Sequence, residues 1–258
     1  FGFNYSLAGL VTGRKPKISL DSPSSHIIDS QACLVNLQQQ KYAIALASCQ
    51  AAVKYDANNF ESHLNLGLAH YHLGNYQQAI KQDQLVIQDN PRDYRAFYNW
   101  GLANSARGEY QQAIEQYHLA LSFIAENSIE QALIFNDLGT AWVMLKDYQK
   151  AIANLDRAIE LDPSSLGSYF NRGCAHHRSS NYQRGIDDFT QVIALDSSYT
   201  EAYLSRAILY HLIRQEKAAY GDLDVALQQY REQGDLAARQ KVIDLKNSMV
   251  ASKIHQTA

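Results

Sequence analysis

The sequence lacks the features that mark several large classes of protein. None of its apolar runs reaches 18 residues, so it contains no complete transmembrane helix. The net charge of −3 is small and the two signs are interspersed, which disfavours nucleic acid as a partner. The three cysteines, Cys33, Cys49 and Cys174, do not form a spaced disulfide framework. We expect Cys33 and Cys49 to be buried thiols that serve packing.

The sequence motifs of catalysis are missing as well. There is no glycine-rich phosphate loop, no His-Glu-x-x-His pair, no nucleophile elbow and no four-ligand zinc spacing. The acidic residues are scattered at the spacing that is typical of solvent-facing sides of helices. We therefore expect a protein that is not an enzyme and that has no catalytic residues, no metal and no cofactor.

The stretch from Phe60 to Asp93 predicts two short amphipathic helices joined by a tight turn. Gly74 ends the first helix, because glycine adopts backbone angles that other residues avoid. Pro91 ends the second, because proline cannot continue a helix. Two helices this short cannot bury their apolar stripes against each other alone, so they need neighbours. The apolar positions are Leu64, Leu66, Leu68, Tyr71, Tyr76, Ala79, Ile80, Val86 and Ile87.

Three columns of residues show that these neighbours are copies. Successive members are 34 residues apart, with one step of 38, and a period of this length indicates a repeat protein. The columns are Gly67, Gly101, Gly139 and Gly173; then Ala45, Ala79, Ala113, Ala151, Gly185 and Ala219; and then Tyr42, Tyr76, Tyr110, Tyr148 and Tyr182, with Glu216 in the sixth place.

With these columns the chain resembles the tetratricopeptide repeat (TPR) family, whose helix–turn–helix unit has about 34 residues. The resemblance rests on Leu66-Gly67, Tyr76, Ala79, Val86 and Pro91 and on their copies. It implies an all-α fold, a right-handed α-solenoid of six TPR-like repeats with a C-terminal capping helix. The predicted segments are an irregular N-terminal arm at 1–25, repeats at 26–59, 60–93, 94–131, 132–165, 166–199 and 200–233, and the capping helix with its tail at 234–258.

Two segments depart from the repeat pattern. Four extra residues lie within 121–138, and Ser128 with Gln131 forms a capping-box pattern, so we expect the next helix to begin a turn early. Near the C-terminus, one apolar stripe follows Gly234, as expected of a helix that closes the open end of a solenoid. The residues of that stripe are Ala238, Val242, Leu245 and Met249.

The resemblance also implies where a partner binds. In TPR proteins the first helix of each repeat lines the inner, concave side, which receives a peptide or a helix of the partner. One position of that helix carries Asn65, Asn99, Asp137 and Asn171, and this column is similar to the amide ladder with which some TPR proteins bind an extended backbone. A primary amide both donates and accepts, so it can pair with any peptide group. The alternative is that these side chains bond within the solenoid.

An apolar lining beside that column is the second part of the expected groove. We expect Leu64, Leu68, Tyr98 and Leu102 to remain accessible to a partner, the alternative being that the lining packs between adjacent first helices. Asp137 would repel a carboxylate, which disfavours the clamp by which some family members hold a C-terminus. The expected lining residues are Leu64, Leu68, Tyr71, Tyr98, Leu102 and Phe170, and the arginines that could attract an acidic partner are Arg95, Arg172, Arg178 and Arg206.

The function that follows is a non-catalytic scaffold or assembly factor that binds another protein, as a peptide or an amphipathic helix, in the concave groove. The alternative is the soluble part of a membrane-anchored complex subunit, for example an assembly factor of a bacterial or photosynthetic membrane. Membrane association would then involve the N-terminal arm, where an apolar segment precedes Arg14, Lys15 and Lys17, or a removed upstream segment. The style of the repeats resembles that of bacterial TPR arrays, so we expect a soluble or membrane-peripheral bacterial protein of undetermined compartment.

Overall fold

The computed structural model describes residues 25–126 and 128–257, and every regular element within them is an α-helix. The predicted N-terminal arm lies outside the described residues apart from its last position. The helices of the described chain are α1 (Ser25–Gln38), α2 (Tyr42–Tyr55), α3 (Phe60–His72), α4 (Tyr76–Asp89), α5 (Tyr94–Ala106), α6 (Tyr110–Phe123), α7 (Ile129–Met144), α8 (Tyr148–Leu161), α9 (Leu166–Arg178), α10 (Tyr182–Leu195), α11 (Thr200–Leu212), α12 (Glu216–Gln233) and α13 (Leu236–Thr257).

These helices pack on their neighbours along the chain. A first helix lies against the second helix of its own pair, as α3 does against α4, and a second helix contacts the first helix of the next pair, as α4 does with α5. The chain ends with α13, which packs on α12. The predicted fold class, an all-α array of helix–turn–helix repeats with a C-terminal helix, is confirmed.

The chain divides into two compact units, of which unit 1 reaches to Ala141 and unit 2 begins at Trp142. The division falls inside α7 and inside the predicted repeat 132–165, so the repeat boundaries stay predictions. Apolar side chains from successive helices form the cores of each unit. In unit 2, Val242 and Met249 of α13 join the core cluster of Leu223 and Tyr230 on α12, as the stripe in the sequence predicts.

The extra residues before α7 lengthen that helix. It has 16 residues, whereas α3, α5, α9 and α11 have 13 each. The backbone N–H of Gln131 donates to Ser128 Oγ at 3.2 Å, which is the N-terminal half of the predicted capping box. The early start of this helix is therefore confirmed.

A residue in the left-handed backbone conformation separates the two helices of each described pair. Two of the six are glycines, Gly74 and Gly108, with φ of 77° and 80°. Glycine takes this conformation without strain, whereas a residue with a Cβ loses about 1–2 kcal/mol. The other four turns carry a side chain at this place and have φ between 57° and 64°; they are Gln40, Lys146, Ser180 and Arg214.

Close helix crossings explain the glycine column. A Cβ added to Gly101 would lie 2.5 Å from Tyr117 Cε1, and one added to Gly173 would lie 2.7 Å from Phe189 Cε1. At Gly67 the nearest atom would be Asp83 Oδ1, at 3.2 Å. Gly67, Gly101 and Gly173 therefore each face a larger residue 16 positions later on the second helix.

The first helix pair uses the same two positions for a disulfide bond. Cys33 on α1 and Cys49 on α2 are joined across a sequence separation of 16, and both are buried. The expectation that these cysteines are free thiols is wrong. Cysteine has the small side chain that a crossing position requires, so the spacing of the crossing residues was also the spacing of the disulfide.

Candidate protein-interaction surface

The predicted amide column lies on the first helices of unit 1. Asn65 is on α3, Asn99 on α5 and Asp137 on α7, and all three residues are half-buried. Leu68 and Tyr71 on α3 are half-buried as well. We call Asn65, Leu68, Tyr71 and Asp137, which are half-buried members of the predicted groove, the first-helix face. Asn99 is half-buried too but is not included, because its amide acts on the buried Asp83.

Asp137 is held by groups from two first helices. Its Oδ2 accepts a hydrogen bond from the Tyr98 hydroxyl at 2.7 Å, and its Oδ1 accepts from the Asn136 amide at 3.2 Å. Burial raises the pKa of Asp137 to about 6, and these two hydrogen bonds oppose that rise. Burial also raises the pKa of Tyr71 to about 12, with a further contribution from the negative charge of Asp137. The carboxylate is therefore mostly ionised at pH 7, although it is poorly solvated.

Asn99 is coupled to the interior of unit 1. Its amide lowers the pKa of Asp83 on α4, but burial is the larger effect and keeps that pKa well above the usual range. Asp83 is fully buried, and neither carboxylate oxygen has a hydrogen-bond partner of good geometry within the described residues. At this position the structure favours the alternative in which the amide serves the solenoid itself.

Three of the residues expected to remain accessible are buried. Leu64 is 5% exposed and packs with Val86 and Ala96, which join two successive helix pairs. Tyr98 is 1% exposed and Leu102 is 7% exposed. The expected accessibility of all three was wrong. Leu64 and Tyr98 face the contact between adjacent pairs, which an amphipathic pattern does not distinguish from the inner surface.

The remaining predicted site residues, Phe170 and Asn171, lie on α9 in unit 2. Phe170 is half-buried and packs against Phe189 and Tyr199, with ring centroids 5.4 Å apart in both cases. Asn171 is buried at 3% exposure. Asn171 is therefore closed to a partner, whereas Phe170 keeps part of its surface beside the two rings.

Unit 2 contains two arginines, Arg172 and Arg206, that the sequence offers as candidates for attracting an acidic partner. Arg172 donates to Asp156 on α8 at 2.7 Å and to Asp188 on α10 at 2.6 Å. Arg206 donates from Nε and Nη2 to Asp222 on α12, at 2.8 Å each. Both guanidinium charges are therefore paired with carboxylates of the same unit and are not free to attract an acidic partner. The signal for them was the separation of 16 residues in both Arg172–Asp188 and Arg206–Asp222, the same separation as at the helix crossings.

The pairing shifts the pKa of the charged groups. Burial by itself lowers the pKa of Arg172, but its bonds to Asp188 and Asp156 bring the net value above the usual one. Burial raises the pKa of Asp188, and Arg172 opposes that rise. Arg95 of unit 1 is also paired, with Asp93 at 2.7 Å and with Glu61 at 2.8 Å.

A depression of unit 1, about 350 Å³ in volume, lies between α4, α5 and α6. Its walls are rich in glutamine, and Trp100 and Ile80 also line it. Because it shares no residue with the first-helix face, it serves as a comparison surface for binding experiments. The glutamines are Gln77, Gln84, Gln112 and Gln116.

The histidines and the remaining cysteine do not assemble into a metal site within the described residues. Burial raises the pKa of the free thiol of Cys174 to about 12, which keeps it protonated. His211 Nδ1 lies 3.0 Å from the carboxylate of Glu216. Neither arrangement offers a catalytic nucleophile or a ligand set.

The helix pairs and the half-buried first-helix positions define a helical-repeat protein with the fold of a protein-interaction scaffold. Family models agree. Tetratricopeptide repeat models match residues 34–88 and 166–199, and a TPR repeat model matches residues 139–180. These models identify the two matched stretches of the chain, 34–88 and 139–199, as tetratricopeptide repeats.

Solved structures with the same fold include bacterial proteins. PilW, a type IV pilus biogenesis factor, is 15% identical with a TM-score of 0.75, and the match covers 86% of this chain and 100% of PilW. PilF of Pseudomonas aeruginosa is 15% identical with a TM-score of 0.70, covering 86% of this chain and 98% of PilF. YrrB, a TPR protein with an unusual peptide-binding site, is 18% identical with a TM-score of 0.59, covering 76% of this chain and 97% of YrrB. No curated protein matches the chain. At these identities the likeness shows the fold alone.

Proposed function

We propose that the chain is a non-catalytic scaffold that binds a segment of another protein, as an extended peptide or an amphipathic helix, on the first-helix face of unit 1. The proposal goes beyond the family fold, since it names a surface and a mode of binding. It draws on the TPR fold and on the four residues of this face, Asn65, Leu68, Tyr71 and Asp137. Their mixture of amide, apolar, aromatic and acidic groups is typical of peptide-binding surfaces.

The observation that carries the proposal is the uncompensated charge of Asp137. No arginine, lysine or histidine of the described residues forms an ion pair with it, and its partners are the neutral groups of Tyr98 and Asn136. A partly buried carboxylate attracts a cation more strongly than an exposed one, because water screens it less. Tyr71 adds an aromatic ring beside it that can receive a cation on its face.

We therefore expect the bound segment to bring a lysine or arginine side chain to Asp137, with apolar residues on either side for Leu68 and Tyr71. Asn65 would pair with a peptide group of the segment. This arrangement would select against segments that end in a free carboxylate at this point, because Asp137 would repel them.

The experiment is an affinity capture with the intact chain, followed by a titration with the captured partner. The groove variant is Asn65→Ala/Asp137→Asn, which removes one amide and one charge without adding bulk. The matched control is Gln84→Ala/Gln112→Ala, which removes two amides from the depression between α4 and α6. Circular dichroism and thermal unfolding establish that both variants fold.

We expect the groove variant to bind the partner at least tenfold more weakly and the control to bind it as the parent chain does. The loss should shrink as salt is added, since it includes a charge pair. If the groove variant kept full affinity and the control lost it, the binding surface would be the α4–α6 depression and the proposal would be wrong.

The second candidate function is the soluble part of a membrane-anchored complex subunit, such as an assembly factor. It is raised by the apolar and then basic sequence of residues 1–17, which lies outside the described residues. None of the described helices is long and apolar enough to cross a bilayer. Deletion of residues 1–17 should release the protein from its complex or membrane in a fractionation experiment, and retention of the shortened chain would count against this candidate.

A further inference from the structure

The disulfide of the first helix pair replaces a packing contact that the other pairs make with ordinary side chains. In unit 2, Ala207 of α11 and Leu223 of α12 belong to one core cluster and are separated by the same 16 residues as Cys33 and Cys49. Gly173 and Phe189 meet at the corresponding place in the preceding pair. These crossings are thus filled by a small residue on the first helix and a large residue on the second.

Two cysteines fill that space less completely than an alanine with a leucine. Each brings a small side chain, so the crossing of α1 and α2 depends on the covalent bond where the other pairs depend on apolar volume. The bond lies in a core formed with Leu37, Ala45 and Leu66. Reduced cysteines would leave α1 held to the stack by a smaller apolar contact.

The finished disulfide is shielded from the chemistry that could break it. Cys33 is 1% exposed and Cys49 is 0% exposed. Thiol–disulfide exchange requires a thiolate to reach one sulfur, and burial prevents that approach. The bond must therefore form before α1 and α2 close over it, and it stays once they have closed.

We infer that the Cys33–Cys49 bond is a single maturation step, made while the first repeat folds in an oxidising compartment and closed to exchange afterwards. One cysteine thiolate attacks the disulfide of an oxidoreductase and forms a mixed disulfide, and one oxidoreductase thiolate leaves. The second cysteine thiolate of this chain then attacks the sulfur of its first cysteine in that mixed disulfide, and the second oxidoreductase thiolate leaves. The products are the Cys33–Cys49 bond and a reduced oxidoreductase, which has taken up the two electrons.

This inference assigns the working chain to a compartment outside the reducing cytosol, where such bonds persist. It is independent of the partner and of the first-helix face, since it concerns only α1 and α2. It also distinguishes a permanent bond from a redox switch, because a switch needs an accessible sulfur.

Thiol counting in cells tests the compartment. The full chain is exported to the bacterial periplasm behind a signal sequence or kept in the cytosol, and both samples are quenched in acid and alkylated in denaturant with a mass-adding maleimide. We expect one reactive cysteine, Cys174, in the exported chain and three in the cytosolic chain. Three reactive cysteines in the exported chain would overturn the inference.

Reduction of the purified chain tests whether the bond is closed. In millimolar dithiothreitol we expect the folded chain to keep its disulfide for hours and the chain in 8 M urea, about the strongest common denaturing condition, to lose it within minutes. Equal rates in the two solutions would show an accessible bond and would refute the maturation step in favour of a switch.

Two variants test the role of the crossing. Cys33→Ala/Cys49→Ala should melt roughly 5–10 °C lower than the oxidised parent chain, whereas Cys174→Ala, the control, should melt within about 2 °C of it. Cys33→Ala/Cys49→Leu copies the Ala207–Leu223 pair and should recover most of the loss while becoming insensitive to dithiothreitol. If the Ala/Ala variant melted with the parent, the bond would have no structural role and the inference would fail.

Discussion

The two units differ in how completely their carboxylates are paired. The buried Asp93 of unit 1 is paired with Arg95, as the buried acids of unit 2 are with their arginines, but two further carboxylates of unit 1 are not. In unit 2, Asp188 and Asp222 are paired with Arg172 and Arg206 at 2.6–2.8 Å. In unit 1, Asp83 and Asp137 have no ion pair within the described residues, although Asp83 is fully buried. A buried pair is costly to break but not strongly stabilising when intact, whereas a lone buried carboxylate is a standing cost.

The difference separates structure from function. A paired carboxylate has its charge satisfied and offers little to a ligand, so the arginines of unit 2 act as internal connections. An unpaired carboxylate that keeps some surface, as Asp137 does, retains its attraction for a cation from outside. The stability cost in unit 1 is thus consistent with a surface kept for a partner.

The largest expected effect comes from breaking a pair in unit 2. Arg172→Met should lower the free energy of unfolding by about 2–4 kcal/mol, because it leaves Asp188, whose side chain is 5% exposed, without its cation. Urea unfolding followed by circular dichroism measures the change. Arg178→Met, on an exposed position of the same helix, is the control and should change stability by less than about 0.5 kcal/mol.

The same pair can also be replaced as a whole. Arg172→Met/Asp188→Leu should recover most of the lost stability, since a buried ion pair is often replaceable by apolar residues of similar volume. A single Arg172→Met variant as stable as the parent would mean that the units do not differ in the way described.

The next effect is a pH dependence specific to unit 1. The pKa of Asp137 is about 6 in the folded chain, against about 4 for an unfolded aspartate, so the folded state binds the proton more tightly. The stability that this group contributes is full below about pH 4 and is lost as the pH rises to about 6. We expect a loss of about 2–3 kcal/mol across that window relative to Asp137→Asn.

Urea unfolding of the parent chain and of Asp137→Asn at about pH 4, 5, 6 and 7 measures this difference. Subtracting the variant's free energy of unfolding from that of the parent removes the contributions of the other acids. A difference that stayed constant from pH 4 to 7, about three units, would place Asp137 in a well-solvated position and remove the basis for its attraction to a cation.

A smaller effect is expected at Asp83. Asp83→Asn keeps the shape of the side chain and removes the carboxylate that burial keeps at a raised pKa. It should stabilise the chain at pH 7 by about 1–2 kcal/mol, and by less near pH 4, where the folded carboxyl is protonated and about half of the unfolded carboxyls are protonated too. Thermal unfolding at the two pH values checks both signs. A destabilised Asp83→Asn variant at pH 7 would indicate an unrecognised partner for the carboxylate.

The smallest expected effect concerns the turns, in which the units also differ. Unit 1 has glycine at two of its left-handed turn positions, whereas unit 2 has Lys146, Ser180 and Arg214. Arg214→Gly should stabilise the chain by about 0.5–1 kcal/mol, and Gly108→Ala should destabilise it by a similar amount or more. Thermal unfolding measures both, and changes of the same sign would refute the strain argument.

The repeating pattern predicted the fold because its residues occupy equivalent positions in successive helix pairs. The period of the glycine, alanine and tyrosine columns set the helix order, and Ser128 with Gln131 indicated the early start of α7. The strained turns were missed because a lysine or an arginine carries no conformational signal, unlike Gly74. The disulfide was missed because Cys33 and Cys49 fit the packing columns as free cysteines.

The candidate site was predicted less well than the fold. An apolar residue on a first helix packs either on the next pair or on the open face, and a helical period gives the same pattern in both cases. Leu64 and Tyr98 contact the next pair, and Leu102 is buried as well. Leu68 and Tyr71 keep part of their surface open to solvent. In the sequence, Asp137 stood out only as the acidic member of an amide column. That no cationic side chain of the described residues pairs with it can be seen only in the structure.

Arg172 connects two helix pairs, since it binds one carboxylate from α8 and one from α10. A repeat removed from unit 2, or exchanged for one from elsewhere in the chain, would leave half of that bridge behind as a stranded charge. The repeats look interchangeable in sequence, yet this part of the array can be lengthened or shortened only by changing its neighbours too. Recombination between repeats would be restricted here to joints that keep Arg172 with both of its acids.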